Sequence, residues 1–231
     1  LQLPNRKSYD EKFKAIQHFL QYGECYQVNL TMNFKGSFRA KVDDLKQSFF
    51  AADKKLSAYA HGTWIPILNK FWLSNSPECL FQKKDSYIYS MPIKGTQKVE
   101  GSKAKAWKKL KSSQKNQAEL YMIADLLRND IARIEKPLAK IIAKKKMLEV
   151  PGLLHQYALI SQELGGEIPL HKVIHSLFPC GSITGAPKKR VSEIIQKIEN
   201  KKRGFYCGST LFMFASQKSC SINIRSMEFD F

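Results

Sequence analysis

The sequence predicts a fold that mixes α-helices and β-strands, and three regions carry most of this prediction. Residues 116–134 repeat apolar side chains at the spacing of one helix face. Residues 27–34 alternate apolar and polar side chains, and residues 206–214 and 220–231 indicate two more strands. With 231 residues and 43% hydrophobic side chains, the chain can build a substantial core, and we expect residues 1–231 to form a single domain.

The formal net charge of +18 raises the question of a nucleic-acid partner. Only seven of the 38 basic residues are arginines, and the lysines cluster on predicted helix faces in residues 103–115, 140–146 and 197–202. Nucleic-acid platforms instead interleave basic and aromatic side chains. The pattern therefore favours solvated helix faces over a nucleic-acid-binding module, and a basic surface would also attract a small dianionic substrate.

The cysteines indicate a reducing compartment. Five of them, at positions 25, 79, 180, 207 and 220, form an odd number without CxxC spacing, so neither a disulfide framework nor a zinc site is indicated. No apolar run has the length of a membrane span, and residues 1–20 lack the layout of a secretory signal. The sequence therefore predicts a cytoplasmic protein that does not contact a membrane.

The predicted elements of the first third of the chain follow one another closely. Residues 9–22 place apolar side chains at helical spacing, and Gly23 ends this helix. After the strand at 27–34, residues 36–58 are typical of an amphipathic helix. Residues 59–73 are rich in aromatic side chains and are predicted as strand.

Two side chains that can take part in chemistry come next. Glu78 follows a proline in a predicted turn, where a lone glutamate is usually a turn residue. A strand at 87–91 then runs into Lys94, which is followed at once by Gly95. A lysine at the end of a strand is normally a solvated surface charge, so neither residue indicates a site by itself.

The helix predicted for residues 116–134 carries two carboxylates within its apolar arc. Glu119 and Asp130 lie about 20° apart when each residue advances by about 100°. Carboxylates are rarely buried unless they are paired or bind a metal, so we expect this helix to do more than pack.

A glycine-rich turn precedes the last predicted helix. Gly181 and Gly185 stand among Ser182 and Thr184, which are candidate helix caps. The helix after them repeats apolar side chains on one face, at Val191, Ile194, Ile195 and Ile198. Such a turn can seat a carboxylate or phosphate at the helix N-terminus, or it can be an ordinary turn before a surface helix.

Several motifs in order resemble one enzyme family. The string F-P-C-G-S-I-T-G-A-P-K at 178–188 resembles the hallmark of the chorismate-utilising enzymes, which include anthranilate synthase component I, aminodeoxychorismate synthase component I, and the isochorismate and salicylate synthases. The resemblance covers residues 9–231. It implies an α+β fold of largely antiparallel sheets with helices packed outside and the site between the sheets. The other matching segments are C-Y-Q-V-N-L-T at 25–31, S-N-S-P-E at 74–78, P-I-K-G-T at 92–96, E-L-Y-M-I-A-D-L-L-R-N-D at 119–130, R-G-F-Y-C-G-S at 203–209 and S-I-N-I-R at 221–225.

Lys94 separates the members of this family. Anthranilate and salicylate synthases carry P-x-A-G-T at this place, whereas aminodeoxychorismate synthases of the covalent type carry P-I-K-G-T, as this chain does. The resemblance implies that Lys94 adds to chorismate at C2 while Glu78 protonates the departing C4 hydroxyl. Ammonia from a glutamine amidotransferase partner would then enter at C4 and give 4-amino-4-deoxychorismate for p-aminobenzoate and folate synthesis. These roles need an unprotonated amine and a protonated carboxyl.

The resemblance also assigns the remaining site residues. Glu119 matches a glutamate that binds Mg²⁺, an ion that favours one or two carboxylates together with waters and substrate oxygens. Arg225 would bind a substrate carboxylate through two hydrogen bonds, and Tyr206 would bond to the same group. The other positions that match substrate-binding residues are Gly95, Thr96, Thr184 and Gly185.

The chain departs from the family pattern in two respects. The strand predicted at 153–164 usually carries a histidine directly before an L-V-S triplet, but the triplet here follows Ala158, and the nearest histidine is His155. The usual N-terminal part, a G-G-G-I-V segment and a second magnesium glutamate are not found within residues 1–231. A partial chain, an anthranilate, isochorismate or salicylate type of enzyme, and a non-catalytic homologue are therefore alternatives, together with the nucleic-acid-binding module.

Overall fold

The computed structural model describes residues 2–51, 56–136, 138–150 and 152–231. These residues divide into two compact units, here called unit 1 and unit 2. Unit 1 combines Leu1–Ala51 with Pro179–Gly204, and unit 2 combines Ala52–Phe178 with Phe205–Phe231. The single domain expected for the whole chain stays a prediction.

Helices and antiparallel strand pairs occur in both units, which confirms the predicted α+β class. The helices of the described residues are α1 (Arg6–Gln21), α2 (Val42–Phe49), α3 (Lys103–Ser112), α4 (Gln114–Ala132), α5 (Leu170–Leu177), α6 (Gly181–Thr184) and α7 (Lys188–Glu199). The strands are β1 (Gln27–Val28), β2 (Tyr59–Ile65), β3 (Lys70–Ser76), β4 (Cys79–Lys84), β5 (Tyr87–Met91), β6 (Ile93–Lys98), β7 (Lys140–Val150), β8 (Leu153–Glu163), β9 (Gly185–Ala186), β10 (Ser209–Phe214), β11 (Gln217–Ile222) and β12 (Ser226–Asp230).

Unit 1 is held together by an apolar cluster on α7. Val191 and Ile194 are almost fully buried together with Cys25, as the apolar spacing of this helix predicted. Helix α1 contacts α7 and begins at Asn5, whose side chain accepts hydrogen bonds from the first turn. The partly buried side chains that complete the cluster are Phe19, Leu20, Val28, Ile195 and Ile198.

The strand predicted for residues 27–34 is much shorter than expected. Only β1 pairs, with β9, and the chain from residue 29 onward is irregular. Asn29 donates its backbone N–H to the Thr184 carbonyl oxygen at 2.9 Å, and Thr31 donates its own to Glu199 Oε1 at 2.9 Å. Because turn and side-chain acceptors take these N–H groups, the alternating polarity there does not reflect a β-ladder.

Unit 2 contains two antiparallel sheets. In the smaller one β3 lies between β12 and β2. In the larger one the order begins β10–β11–β4–β5, and β5 pairs with β8. Both β5 and β6 pair with one edge of β8, since β7 pairs with residues 159–161 and 153–157 of β8 from the other edge. Strands β5 and β6 are therefore successive segments along one edge, separated by Pro92, whose carbonyl accepts from Ala158 at 3.2 Å.

Helix α4 supplies much of the core of unit 2 and contacts β6 and β8. The predicted helix at 116–134 is confirmed with a shift of two residues. Its buried apolar residues are Leu120, Ile123, Ala124, Leu127 and Ile131. Helix α3 adds Ala106 and Leu110, which pack against Leu154 of β8.

Three other predictions are corrected. The lysines of residues 140–146, predicted on a helix face, lie on strand β7. The helix expected at 36–58 covers only α2, and residues 52–55 lie outside the described part of the chain. The strand expected at 220–231 is divided into β11 and β12 around Arg225, which has a φ of +51°. A positive φ is uncommon for a residue other than glycine and is not visible in a sequence pattern.

Candidate functional site

A bulge in β6 sets the orientation of Lys94. Lys94 pairs with Gln156 of β8 and Thr96 pairs with His155, so that Gly95 is the extra residue between them, with a φ of +76°. Directly paired residues share a sheet face, whereas successive residues of one strand alternate. Lys94 and Gln156 therefore lie on one face of the sheet, and Thr96 and His155 lie on the other.

Gly95 allows helices α3 and α4 to approach β6 closely. A Cβ atom at this position would lie 3.0 Å from Leu110 Cδ1 and 3.1 Å from Asn116 Cβ. Glu119 is three residues beyond Asn116 and shares its side of α4. The half-buried Glu119 thus lies one helical turn along from the contact with Gly95.

Asp130, the second carboxylate of α4, is 1% exposed, as its place in the apolar arc predicted. Its Oδ1 lies 3.6 Å from Arg133 Nη1. The backbone oxygen of Asp130 accepts a hydrogen bond from the Ser176 hydroxyl of α5. Asp130 is therefore buried beside Arg133 and the start of the contact between α4 and α5, and its neighbours differ from those of Glu119.

Glu78 lies at the start of β4, next to the point where β5 gives way to β6. Its side chain is only 6% exposed, and its backbone N–H donates to Ser76 Oγ at 3.2 Å. Cys79 pairs with Met91, the last residue of β5, so Glu78 is next in sequence to a residue that pairs with the end of β5, two residues before β6 begins. The structure thus brings the predicted acid and the predicted nucleophile to neighbouring strand ends.

The segments that carry Tyr206 and Arg225 are joined through Asn223. Cys207 donates its N–H to the Asn223 carbonyl at 2.8 Å, and Asn223 donates its own to the carbonyl of Gly208 at 2.8 Å. Both predicted carboxylate-binding side chains are exposed. Because the Ile222 N–H donates to the Glu78 carbonyl at 3.1 Å, this part of the chain is also tied to the start of β4.

His155 is a buried histidine that the sequence pattern left without a role. Its Nδ1 lies 3.0 Å from Thr96 Oγ1 and 3.3 Å from the Gly95 carbonyl oxygen, and a carbonyl only accepts, so Nδ1 carries a proton. Burial lowers the pKa of His155, the bond to Gly95 opposes this shift, and the positive charge of Arg225 lowers the pKa further. A neutral imidazole therefore holds the Gly95–Thr96 bulge.

The two remaining predicted substrate-binding residues belong to unit 1. Gly185 has a φ of +137°, and a Cβ there would lie 1.9 Å from the Gln27 carbonyl oxygen, so only glycine fits. Thr184 is buried, and its hydroxyl donates to the Cys180 carbonyl at 2.9 Å. The prediction that Ser182 and Thr184 cap a helix is wrong, because α6 and α7 begin after Cys180 and Pro187 without a side-chain cap.

The carboxylate of Glu119 is a suitable ligand for Mg²⁺, which takes carboxylate oxygens and keeps several waters. Within the described ranges there is no group of three or more His, Cys, Asp or Glu side chains that would enclose a metal. A single half-buried glutamate fits an ion that completes its shell with water and substrate oxygens, but it does not fit a closed structural site.

Gln156 is a buried polar residue of β8 that no sequence motif indicates. Its side chain is fully buried, and within the described part of the chain neither its Nε2 nor its Oε1 has a hydrogen-bond partner. The available signal was the buried face of β8, where a glutamine stands between the apolar Leu154 and Ala158.

The sequence profile of the chorismate binding enzyme family matches residues 1–230. The chain belongs to this family. It is 35% identical to aminodeoxychorismate synthase component 1 of Klebsiella aerogenes over 228 residues, which are 96% of this chain and 50% of that protein. It is 34% identical to the protein of the same name from Escherichia coli K12, covering 96% of this chain and 49% of that protein. The chain thus spans about half the length of these curated relatives.

A solved structure confirms the fold. The crystal structure of anthranilate synthase component I from Streptococcus pneumoniae superposes with a TM-score of 0.86 at 23% identity, covering 98% of this chain and 50% of that one. At this identity the likeness concerns the fold. Among the described residues, no helix combines the length and the apolar character needed to cross a bilayer.

Proposed function

We propose that this chain carries the amination centre of an aminodeoxychorismate synthase, which converts chorismate and ammonia into 4-amino-4-deoxychorismate. The observation that carries the proposal is the half-buried Lys94, held at a β-bulge beside the helix that bears Glu119. The identity to proteins named aminodeoxychorismate synthase component 1 supports the same reaction.

In the proposed reaction Lys94 is the nucleophile. Its unprotonated amine forms a bond to C2 of the ring while the C4–O bond breaks, and the hydroxyl leaves as water with a proton from Glu78. Ammonia then forms the C4–N bond as the bond between C2 and Lys94 breaks, and the proton that ammonia loses returns to the Glu78 carboxylate. The position of Glu78, buried beside the strand junction that leads to Lys94, supports this pairing of acid and nucleophile.

The other side chains bind and orient the substrate. We assign the ring carboxylate to Mg²⁺ held by Glu119, where the ion would neutralise the carboxylate and polarise the ring. The exposed Arg225 and Tyr206 would bind the second carboxylate, and Gly95 and Thr96 would line the substrate. Ammonia would come from a glutamine amidotransferase, in keeping with the component 1 names of the relatives.

Product analysis tests the proposal. The full-length gene product should convert chorismate, ammonia and Mg²⁺ into aminodeoxychorismate, and Lys94→Ala should lower this rate by at least about 100-fold. The matched control is Lys98→Ala on the same strand, where an exposed lysine lies 3.2 Å from Glu100. That control should keep the wild-type rate.

Two results would contradict the proposal. Formation of anthranilate or isochorismate by the wild type would assign the chain to another branch of the family. Full amination activity in Lys94→Ala would exclude the covalent route through this lysine.

A further inference from the structure

The side chain of Gln156 has no partner inside the described part of the protein. It is 0% exposed, and neither its amide nitrogen nor its amide oxygen has a hydrogen-bond partner among the described residues. Buried polar groups are nearly always bonded, because an unbonded one loses its water without compensation. A side chain that can form several hydrogen bonds and forms none with the described residues therefore needs an explanation.

The surroundings of Gln156 do not offer a partner from its own strand. The residues before and after it on the same face of β8 are Leu154 and Ala158, both buried and apolar. Leu154 packs against Ala106 and Leu110 of α3, so this is the face that the helices cover. The amide of Gln156 therefore lies between two apolar side chains of its own strand.

A second glutamine on this face shows the usual outcome. Gln162 is 2% exposed, and its Nε2 donates to the carbonyl oxygen of Glu135. One buried amide of β8 is thus bonded to the backbone, whereas the other has no bond to the residues that the structure describes.

Gln156 lies next to Lys94 in the sheet. It pairs directly with Lys94 and shares its sheet face. Gly95, the next residue of β6, contacts α4 one turn from Glu119. The unbonded amide therefore lies beside the residues to which the proposed function assigns the nucleophile and the metal ligand.

We propose that Gln156 is a substrate-binding residue of this site. Its Nε2 donates to a carboxylate oxygen of the substrate and its Oε1 accepts from a substrate hydroxyl, a pair of groups that a hydroxylated ring carboxylic acid provides. The identity of that acid as chorismate rests on the proposed function. Bound substrate thus supplies the hydrogen bonds that the described residues do not form. The free-energy cost of burying this amide is offset only in the complex.

The test is to replace Gln156 by Met, which has a similar volume and no amide. In the full-length gene product with Mg²⁺, calorimetric titration with chorismate should give a dissociation constant raised by about tenfold or more. Without ligand, the melting temperature of Gln156→Met should equal or exceed that of the wild type, because an unbonded buried amide is removed. Gln156→Leu is a second apolar variant with the same expectation.

Gln162→Met is the matched control. It breaks the bond to Glu135, so it should lower the melting temperature and leave the chorismate dissociation constant unchanged. If Gln156→Met also lowers the melting temperature and leaves chorismate binding unchanged, the amide is structural and the inference is wrong. The inference is judged by affinity, whereas the proposed function is judged by the product that the wild type forms, so each can fail separately.

Discussion

Two turns of this chain, one in each unit, each place a glycine close to another element. A different side chain donates a hydrogen bond to each turn. In unit 1, Gly185 lets β9 pass against the Gln27 carbonyl, and Arg203 donates to the neighbouring Ile183 carbonyl at 2.9 Å. In unit 2, Gly95 lets β6 pass under α3 and α4, and His155 donates to the Gly95 carbonyl at 3.3 Å. Each turn therefore combines a glycine at positive φ with a donor from another element.

The difference lies in what surrounds each glycine and each donor. A Cβ at Gly185 would meet a backbone atom, which cannot move without breaking the β1–β9 pair, whereas a Cβ at Gly95 would meet the rotatable end of Leu110 and the Asn116 side chain at 3.0 to 3.1 Å. Arg203 keeps its charge and is bonded to the buried Glu199, whereas His155 is a titratable imidazole whose pKa is lowered by burial. The turn in unit 1 should therefore be the more rigid one and the turn in unit 2 the more sensitive to pH.

The largest expected effect is that of Gly185→Ala. The new Cβ would lie 1.9 Å from the Gln27 carbonyl oxygen, so β9 must leave β1. We expect the free energy of unfolding to fall by about 4 kcal/mol or more, measured by urea denaturation. Labelling of Cys25 and Cys180, which are buried in unit 1, should report the opening.

The control for this prediction is Gly23→Ala. Gly23 has a φ of +70°, but a Cβ atom added there would meet no neighbouring atom within 4 Å, so only the backbone cost of about 1 kcal/mol applies. Equal losses in the two variants would show that the contact with Gln27 does not limit this turn.

The sequence was sufficient for most of the regular elements but not for the way in which turns are held. The apolar spacing of α4 and α7 reports burial directly, and these helices are where it placed them. The alternation at 27–34 failed because alternating polarity requires only an extended chain, and Thr31 bonds to a glutamate side chain instead of a strand. The break at Arg225 depends on a single backbone angle.

An intermediate effect is expected for Gly95→Ala. The methyl group would lie 3.0 Å from Leu110 Cδ1 and 3.1 Å from Asn116, and these side chains can shift by a few tenths of an ångström. We expect a loss of about 2 kcal/mol in urea denaturation. Chorismate binding should also weaken, because α4 would be pushed away from β6.

Gly101→Ala separates the contact from the backbone strain. Gly101 has the same φ of +76° and no neighbour within 4 Å, so it should lose only about 1 kcal/mol. If Gly101→Ala lowers the free energy of unfolding as much as Gly95→Ala does, the contact of Gly95 with helices α3 and α4 does not contribute to stability.

The sequence motifs were sufficient to propose the charged residues Glu78, Lys94 and Glu119, whose roles stay predictions. The contacts of His155 and Gln156 could not be predicted, because a histidine or a glutamine in a strand indicates no role until its neighbours in the fold are known. The bulge at Gly95 shifts the register of β6, so that His155 pairs with Thr96. The proposal for Gln156 depends on the lack of a hydrogen-bond partner among the described residues.

The smallest expected effect is the dependence of stability on pH through His155. Its pKa is lowered in the folded protein, so the unfolded chain binds the proton more readily, with a pKa of about 6.5. The contribution of neutral His155 should be complete above that pH and should be lost as the pH falls toward the folded pKa, with a slope of at most about 1.4 kcal/mol per pH unit. His155→Asn keeps a donor for the Gly95 carbonyl but does not titrate, so urea denaturation between pH 7.5 and 5.5 should show a weaker pH dependence than in the wild type. An identical dependence in both proteins would mean that protonation of His155 does not affect this turn. The turn in unit 2 would then be no more sensitive to pH than the turn that Arg203 bonds in unit 1.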